Sequence, residues 1–235
     1  MLFRSVQPFG GEGLSGTGPK AGGPFYLQRL TRTAQWQAPA NLAQTGAQSA
    51  RLDHLFAALT SAPELQQDKT RLAQWLQTCQ QLSLLERDML LPGPTGERNS
   101  LHFAPRGTVS CIADSARALA MQLIAAFATG NRVRIADNAA AQALLPRLPD
   151  SLGLAIDAFA LKAEDVSAVL FSGNQSEAQA LRKALAARDG ARVPLLLAEE
   201  DGQYNLARLV AERAISVNTT AAGGNASLMS LTESA

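Results

Sequence analysis

Charge is scarce and balanced in this chain. Of 235 residues, Lys and Arg total 21 and Asp and Glu 20, a formal net charge of +1. A chain this close to neutral has no electrostatic footprint for nucleic acid or anionic lipid. Cysteine is nearly absent. Cys79 and Cys111 are far apart and sit in no paired motif, which argues against a disulfide framework or a zinc site and fits a reducing cytoplasm. No apolar run approaches the ~18 residues a membrane helix needs. The N-terminal MLFRSVQPFGG has no apolar core of signal-peptide length, so a cytoplasmic location is expected. The stretch from Ser216 to Leu231 carries no charge at all. A surface tail normally carries charge, so this one is expected to be covered.

Glycine is abundant but concentrated. Gly10, Gly11, Gly13, Gly16, Gly18, Gly22 and Gly23 crowd the first ~35 positions, which hold too few large apolar residues for a core of their own and must lie on a body elsewhere. Ala38 to Gln48 reads as a linker. Two amphipathic helices follow. Leu52, Leu55, Phe56 and Leu59 fall at i, i+3, i+4, i+7; after Pro63, Leu72, Trp75, Leu76, Cys79 and Leu82 make a second stripe. From Leu101 short strands alternate with helices: strands at Thr108–Ala113, Arg132–Ala136, Ala168–Phe171 and Val193–Ala198, and helices from Ala116, over Ala139–Leu148, over Gln175–Arg188 and over Tyr204–Glu212. This alternation predicts an α/β fold, a Rossmann-like three-layer sandwich with preceding helices. Ile215–Asn218 and Ala226–Leu231 fall outside it and read as a C-terminal β-flap, a hairpin.

Gly11-Glu12-Gly13-Leu14-Ser15-Gly16 matches G-x-G-x-x-G, but no strand precedes it and Thr17-Gly18-Pro19 allows no helix after it, so a dinucleotide fingerprint is not supported. Lys20 follows Pro19, with no adjacent Ser or Thr, so a phosphate loop fails too. A tight loop whose free backbone N–H groups receive a carboxylate accounts for it better. His54 and His102 lack a local carboxylate cluster and read as surface or capping residues. Cys79 on its helix stripe and Cys111 in mid-strand read as inert core thiols. Pro92–Asn99, PGPTGERN, suits a binding loop or a plain connection equally.

Two segments carry a family resemblance. Glu212–Leu231, ERAISVNTTAAGGNASLMSL, resembles the closing segment of the proline utilization A family of bifunctional proline-oxidising enzymes, and Gln7–Pro24, QPFGGEGLSGTGPKAGGP, resembles the last loop of that family's aldehyde dehydrogenase module. In those modules this loop anchors the substrate's α-carboxylate through main-chain donors. The resemblance implies Gly11 and Glu12 as anchor positions, Phe9 walling the aldehyde pocket and Ser15 in the fixed turn. The nucleophilic cysteine of that family lies far upstream of this loop.

Residues 101 to 231 resemble a degraded aldehyde dehydrogenase cofactor domain. Pro105-Arg106-Gly107 looks like its entry, but Ala113-Asp114-Ser115 stands where a P-W-N motif supplies the oxyanion-stabilising asparagine. Ala128-Thr129-Gly130-Asn131-Arg132-Val133 looks like A-x-G-N-x-V, with Ala136 where a lysine holds the adenosine ribose. Phe171-Ser172-Gly173-Asn174 looks like the F-T-G-S turn near the nicotinamide, and Leu195–Ala198 replaces the E-L-G-G general base. Losing an oxyanion donor alone costs on the order of 10²-fold in rate, and without nucleophile and base no aldehyde chemistry remains.

The resemblance therefore implies a non-catalytic C-terminal domain, divided as follows. Residues 1–35 are the end of the catalytic aldehyde dehydrogenase module, 36–100 linker and helices, 101–213 the Rossmann-like domain and 214–235 the flap and C-terminal motif. Asn218, Thr219, Thr220, Gly223, Gly224 and Asn225 are implied as the cover of a substrate-channelling cavity, small uncharged residues that let backbones approach closely. No cofactor or metal is expected in this chain itself, while NAD and FAD are implied for the parent enzyme. The expected partner is the remainder of that enzyme, with homo-oligomerisation open. The alternatives are a subunit of a split NAD-dependent aldehyde dehydrogenase, or a regulatory nucleotide-binding module.

Overall fold

A computed structural model describes residues 7–11, 20–27, 50–157 and 165–219. Its centre is a five-stranded parallel sheet of β3 (Thr108–Ile112), β4 (Arg132–Ala136), β5 (Ala155–Asp157), β6 (Val166–Phe171) and β7 (Leu195–Leu197), in the order β5-β4-β3-β6-β7. Helices α3 (Ala116–Ala128) and α4 (Ala139–Leu144) link β3 to β4 and β4 to β5, while α5 (Gln175–Ala186) links β6 to β7. This is the Rossmann-like α/β arrangement that the strand–helix alternation predicts.

The elements form where local chemistry favours them. Ser115, Asn138 and Asn174 each cap the helix that follows, their side chains accepting from Ala118, Ala141 and Glu177 N–H. Helix α3 is buried from Leu119 through Ala128, because it lies between the sheet and the two preceding helices, α1 (Ala50–Ser61) and α2 (Lys69–Leu82). The stripes read from sequence supply the contact: Leu52, Leu55, Leu59, Leu72, Trp75 and Cys79 are all buried in the main core. Trp75 Nε1 donates to Met121 O at 2.9 Å, so the large indole is buried with its one polar atom satisfied. On the other sheet face Val166 and Val169 pack with Leu185 of α5.

A second sheet differs from expectation. Strands β1 (Asp88–Leu91), β2 (Glu97–Pro105) and β8 (Val210–Asn218) form an antiparallel sheet in the order β1-β2-β8. The PGPTGERN segment is thus the hairpin turn between β1 and β2, with Glu97–Asn99 already in β2. The helix expected at Tyr204–Glu212 is instead a 3-10 turn over Leu206–Arg208 followed by β8. The long β2 edge offers β8 a ladder from Pro105↔Val210 to Glu97↔Asn218, and pairing of that length overrides local helix preference. Ile215–Asn218, expected as one arm of a separate hairpin, is the end of this β2-paired strand. The other expected arm, Ala226–Leu231, lies outside the described residues. Strand β5, too short to stand out in sequence, is an edge addition.

The inner face of the antiparallel sheet makes its own apolar cluster with Leu84, Met89, Leu101, Phe103 and Val210. Phe25 inserts here, fully buried, its ring edge-on to Phe103 at 5.2 Å. Burial of such a ring stabilises by about 2–3 kcal/mol. Of the glycine-rich N-terminal region, the described Phe25 lies on this sheet; residues 1–6, 12–19 and 28–35 lie outside the described residues.

Candidate functional site

In an open parallel sheet, ligands bind outside the carboxyl ends of the strands where the strand order reverses. Here that point lies between β3 and β6, whose register runs from Thr108↔Val166 to Ile112↔Phe171. The residues just beyond it are Ala113-Asp114-Ser115 and Ser172-Gly173-Asn174. Two helix N-termini, of α3 and α5, open at the same edge, and such ends favour anions.

Both ends already face the chain's own carboxylates. Asp114 Oδ1 accepts from Ser115 Oγ and from Ser172 Oγ, each at 3.2 Å. At α5, Asn174 Oδ1 accepts from Glu177 N at 2.9 Å, and Glu177 Oε2 accepts from Asn174 N at 3.3 Å. This capping box consumes backbone donors that an external phosphate would use. It was readable in the N-x-x-E spacing. Asp114, in the tripeptide that stands where the resemblance expects P-W-N, adds a negative charge to the crevice.

Beneath the crevice lies a buried polar pair. Gln122 Nε2 donates to Ile112 O and to Tyr204 Oη, both at 2.9 Å. Burial pushes the Tyr204 phenol well above its usual range, against the lowering effect of the Gln122 hydrogen bond. Cys111, fully buried in β3, has its thiol pushed far up by burial, and Cys79 is raised for the same reason; neither is a nucleophile. Ala136 ends β4 and offers no group to a ribose. These residues do not fit a dinucleotide.

The expected anchor loop is partly described. Phe9 and Ala21 exchange two backbone hydrogen bonds, Phe9 N to Ala21 O at 2.9 Å and Ala21 N to Phe9 O at 2.8 Å, which pins the base of the loop. Phe9 is 56% exposed and Gly11 is exposed, so neither lines a pocket among the described residues. Glu12 and Ser15 lie outside the described residues. Of the expected cover residues, Asn218 and Thr219 are exposed, with Thr219 N donating to Gly96 O at 2.8 Å. Thr220, Gly223, Gly224 and Asn225 lie outside the described residues.

One cluster was not legible in the sequence. His102 has a carboxylate partner after all: its Nδ1 contacts Asp88 Oδ1, and its Nε2 lies 3.0 Å from Ser100 Oγ. The hairpin register, Asp88↔His102 and Leu90↔Ser100, creates this contact.

Comparison with known proteins bears on this geometry. No family model matches the chain. It is 43% identical over 242 residues to the bifunctional protein PutA of Escherichia coli K12, covering 96% of this chain. The chain matches a segment of PutA. PutA of Rhizobium meliloti is 38% identical over 237 residues. The chain spans 18% of the length of each of these PutA proteins. Among solved structures, PutA of Bradyrhizobium japonicum aligns with 63% of this chain and 19% of its own, at a TM-score of 0.48 and 25% identity. An oxidoreductase from Marinobacter aquaeolei aligns over 63% of this chain and 38% of its own, with a TM-score of 0.50 and 18% identity; that likeness is one of fold.

Proposed function

We propose that this PutA-like chain is an architectural part of a bifunctional proline-oxidising enzyme, without aldehyde-oxidising chemistry of its own. It packs against the glutamate-semialdehyde dehydrogenase module of the same polypeptide and lies over the cavity through which the intermediate passes. The observation that carries this reading is a Rossmann core whose switch-point crevice presents Asp114 and Glu177 rather than donors for a cofactor. A fold kept without its ligand chemistry is a fold kept for its surface.

On this reading the loop containing Phe9, Gly11, Glu12 and Ser15 serves the neighbouring catalytic module. Asn218, Thr219, Thr220, Gly223, Gly224 and Asn225 belong to the cover. NAD and FAD serve the parent enzyme's two active sites, in the cytoplasm. Covering a passage raises the chance that the intermediate is captured before it escapes.

The test is deletion of residues 216–231 from the full-length enzyme. Each half-reaction, assayed with its own substrate, should change little. The coupled reaction from proline to glutamate should develop a lag. Unchanged coupled kinetics at unchanged oligomeric state would refute the cover.

A further inference from the structure

The outer face of the β1–β2–β8 sheet carries a hydrogen-bonded chain that the aldehyde chemistry has no use for. Asp88, Ser100 and His102 all point to this face, because their neighbours Met89, Leu101 and Phe103 fill the inner one. Asp88 is acceptor-only as a carboxylate, so His102 Nδ1 must donate to it. In the neutral ring that fixes the proton on Nδ1 and leaves Nε2 an acceptor. Ser100 Oγ, 3.0 Å from Nε2, is then the donor. The connectivity is carboxylate, imidazole, hydroxyl, in the order that makes a serine nucleophilic.

The strands supply the surroundings. Leu90 and Ile215 are the cross-strand partners of Ser100 on its two sides. Both are unusually exposed for aliphatic residues, 62% and 46%. Arg213 is the cross-strand partner of His102 and hence the diagonal neighbour of Ser100, a separation of about 7–8 Å between backbones that a long side chain spans. It is the cation placed to meet charge developing beside the serine, since the backbone amides of this region are committed to the sheet ladder.

We propose that Ser100, His102 and Asp88 form a hydrolytic site, distinct from the switch-point crevice, for small uncharged esters with an apolar acyl or aryl group and a good leaving group. Ser100 Oγ bonds to the ester carbonyl carbon as its proton passes to His102 Nε2. The carbon–oxygen bond to the leaving group breaks, and the departing oxygen takes that proton. Water then attacks the acyl-serine, giving a proton to Nε2 that returns to Oγ as the acid departs. The sum is ester plus water to acid plus alcohol, with no redox change. Ser100 and His102 are the catalytic residues, and Asp88 is a positioning residue acting through His102.

The experiment uses the whole 235-residue chain and p-nitrophenyl acetate as probe. The wild type should release p-nitrophenol faster than the same concentration of free imidazole, and peptide mass mapping of acid-quenched protein should place acetyl on Ser100. S100A and H102Q should each lower the rate at least about tenfold, the lower range for a positioned general base being ~10². D88N should lower it and D88E restore part of it, a pattern a merely structural pair would not give. Melting curves establish that the variants are folded. S100A removes only an exposed-face hydroxyl, so it keeps the proposal falsifiable if H102Q is unstable. Label confined to lysines or to His102, or a rate unchanged in folded S100A, would overturn it.

Discussion

Asn131 clamps Gly107: its Oδ1 accepts from the Gly107 N–H at 2.9 Å, across the β2–β3 turn. The same side chain donates through Nδ2 to Leu209 O at 2.9 Å and to Thr129 Oγ1 at 2.8 Å. One buried amide thus joins the end of α3, the entry to β3 and the turn that leads into β8. The A-x-G-N-x-V resemblance drew attention to this residue as part of a cofactor domain, and its work here is structural. Replacement by Ala strands donors and acceptors at once, at about 1–3 kcal/mol for each group left unsatisfied. N131A should lower unfolding free energy by roughly 3 kcal/mol in urea titration. A loss below ~0.5 kcal/mol would show that water replaces the amide without cost.

Gly130 and Gly190 offer a paired comparison. Both have positive φ, 70° and 91°. A Cβ at Gly130 meets Leu85 Cδ2 at 2.9 Å and Pro105 Cγ at 3.0 Å, whereas one at Gly190 meets nothing within 4 Å. G190A should cost about 1 kcal/mol from backbone strain alone. G130A should cost more, by a further 1–3 kcal/mol or so from overpacking. Equal losses in denaturant midpoints would contradict the clash.

Acid stability should depend in part on Asp165. The Thr108 hydroxyl donates to its carboxylate at 3.0 Å. That hydrogen bond and the nearby Arg134 guanidinium hold its pKa below the ordinary carboxylate range, against desolvation. A depressed folded-state value means stability that is present above the unfolded value of about 3.9 and lost as pH falls through the folded one. T108V should therefore narrow the gap between neutral and acid stability. The effect stays below about 1 kcal/mol, because the Asp165 side chain is 45% exposed and screened by water. Melting temperatures at pH 7 and pH 3 test it: the wild-type advantage should shrink at the lower pH.

Nucleotide binding should be absent and recoverable in part. Calorimetric titration of the wild-type chain with NAD should show no saturable heat, and incubation with NAD and glutamate semialdehyde should produce no NADH. The double variant D114N/E177Q removes both carboxylates from the crevice and should gain weak affinity for inorganic pyrophosphate. Tight NAD binding by the wild type would revive a regulatory role.

Much of the fold was legible because local and tertiary preferences agree. The stripes of α1 and α2, the strands at Thr108, Arg132 and Ala168, and the capped helices after them each follow from spacing or a cap residue. The segment Tyr204–Glu212 reads locally as helix but is a turn followed by the start of β8, because its partner, β2, lies about a hundred positions away in sequence. No local window contains the ladder that decides its conformation. The Asp88–His102 contact was missed for a related reason. The two residues meet only through hairpin register, and a slip of one position would send them to opposite faces.

By itself the sequence determined the parallel α/β core and the burial of its two cysteines, since these depend on which residues are present and on their short-range spacing. Only the tertiary structure decided what occupies the crevice, where Phe25 docks and which side chains share the outer face of the antiparallel sheet. Those outcomes rest on contacts between distant segments, and the free energy of such contacts comes from burial and pairing that no single segment makes alone.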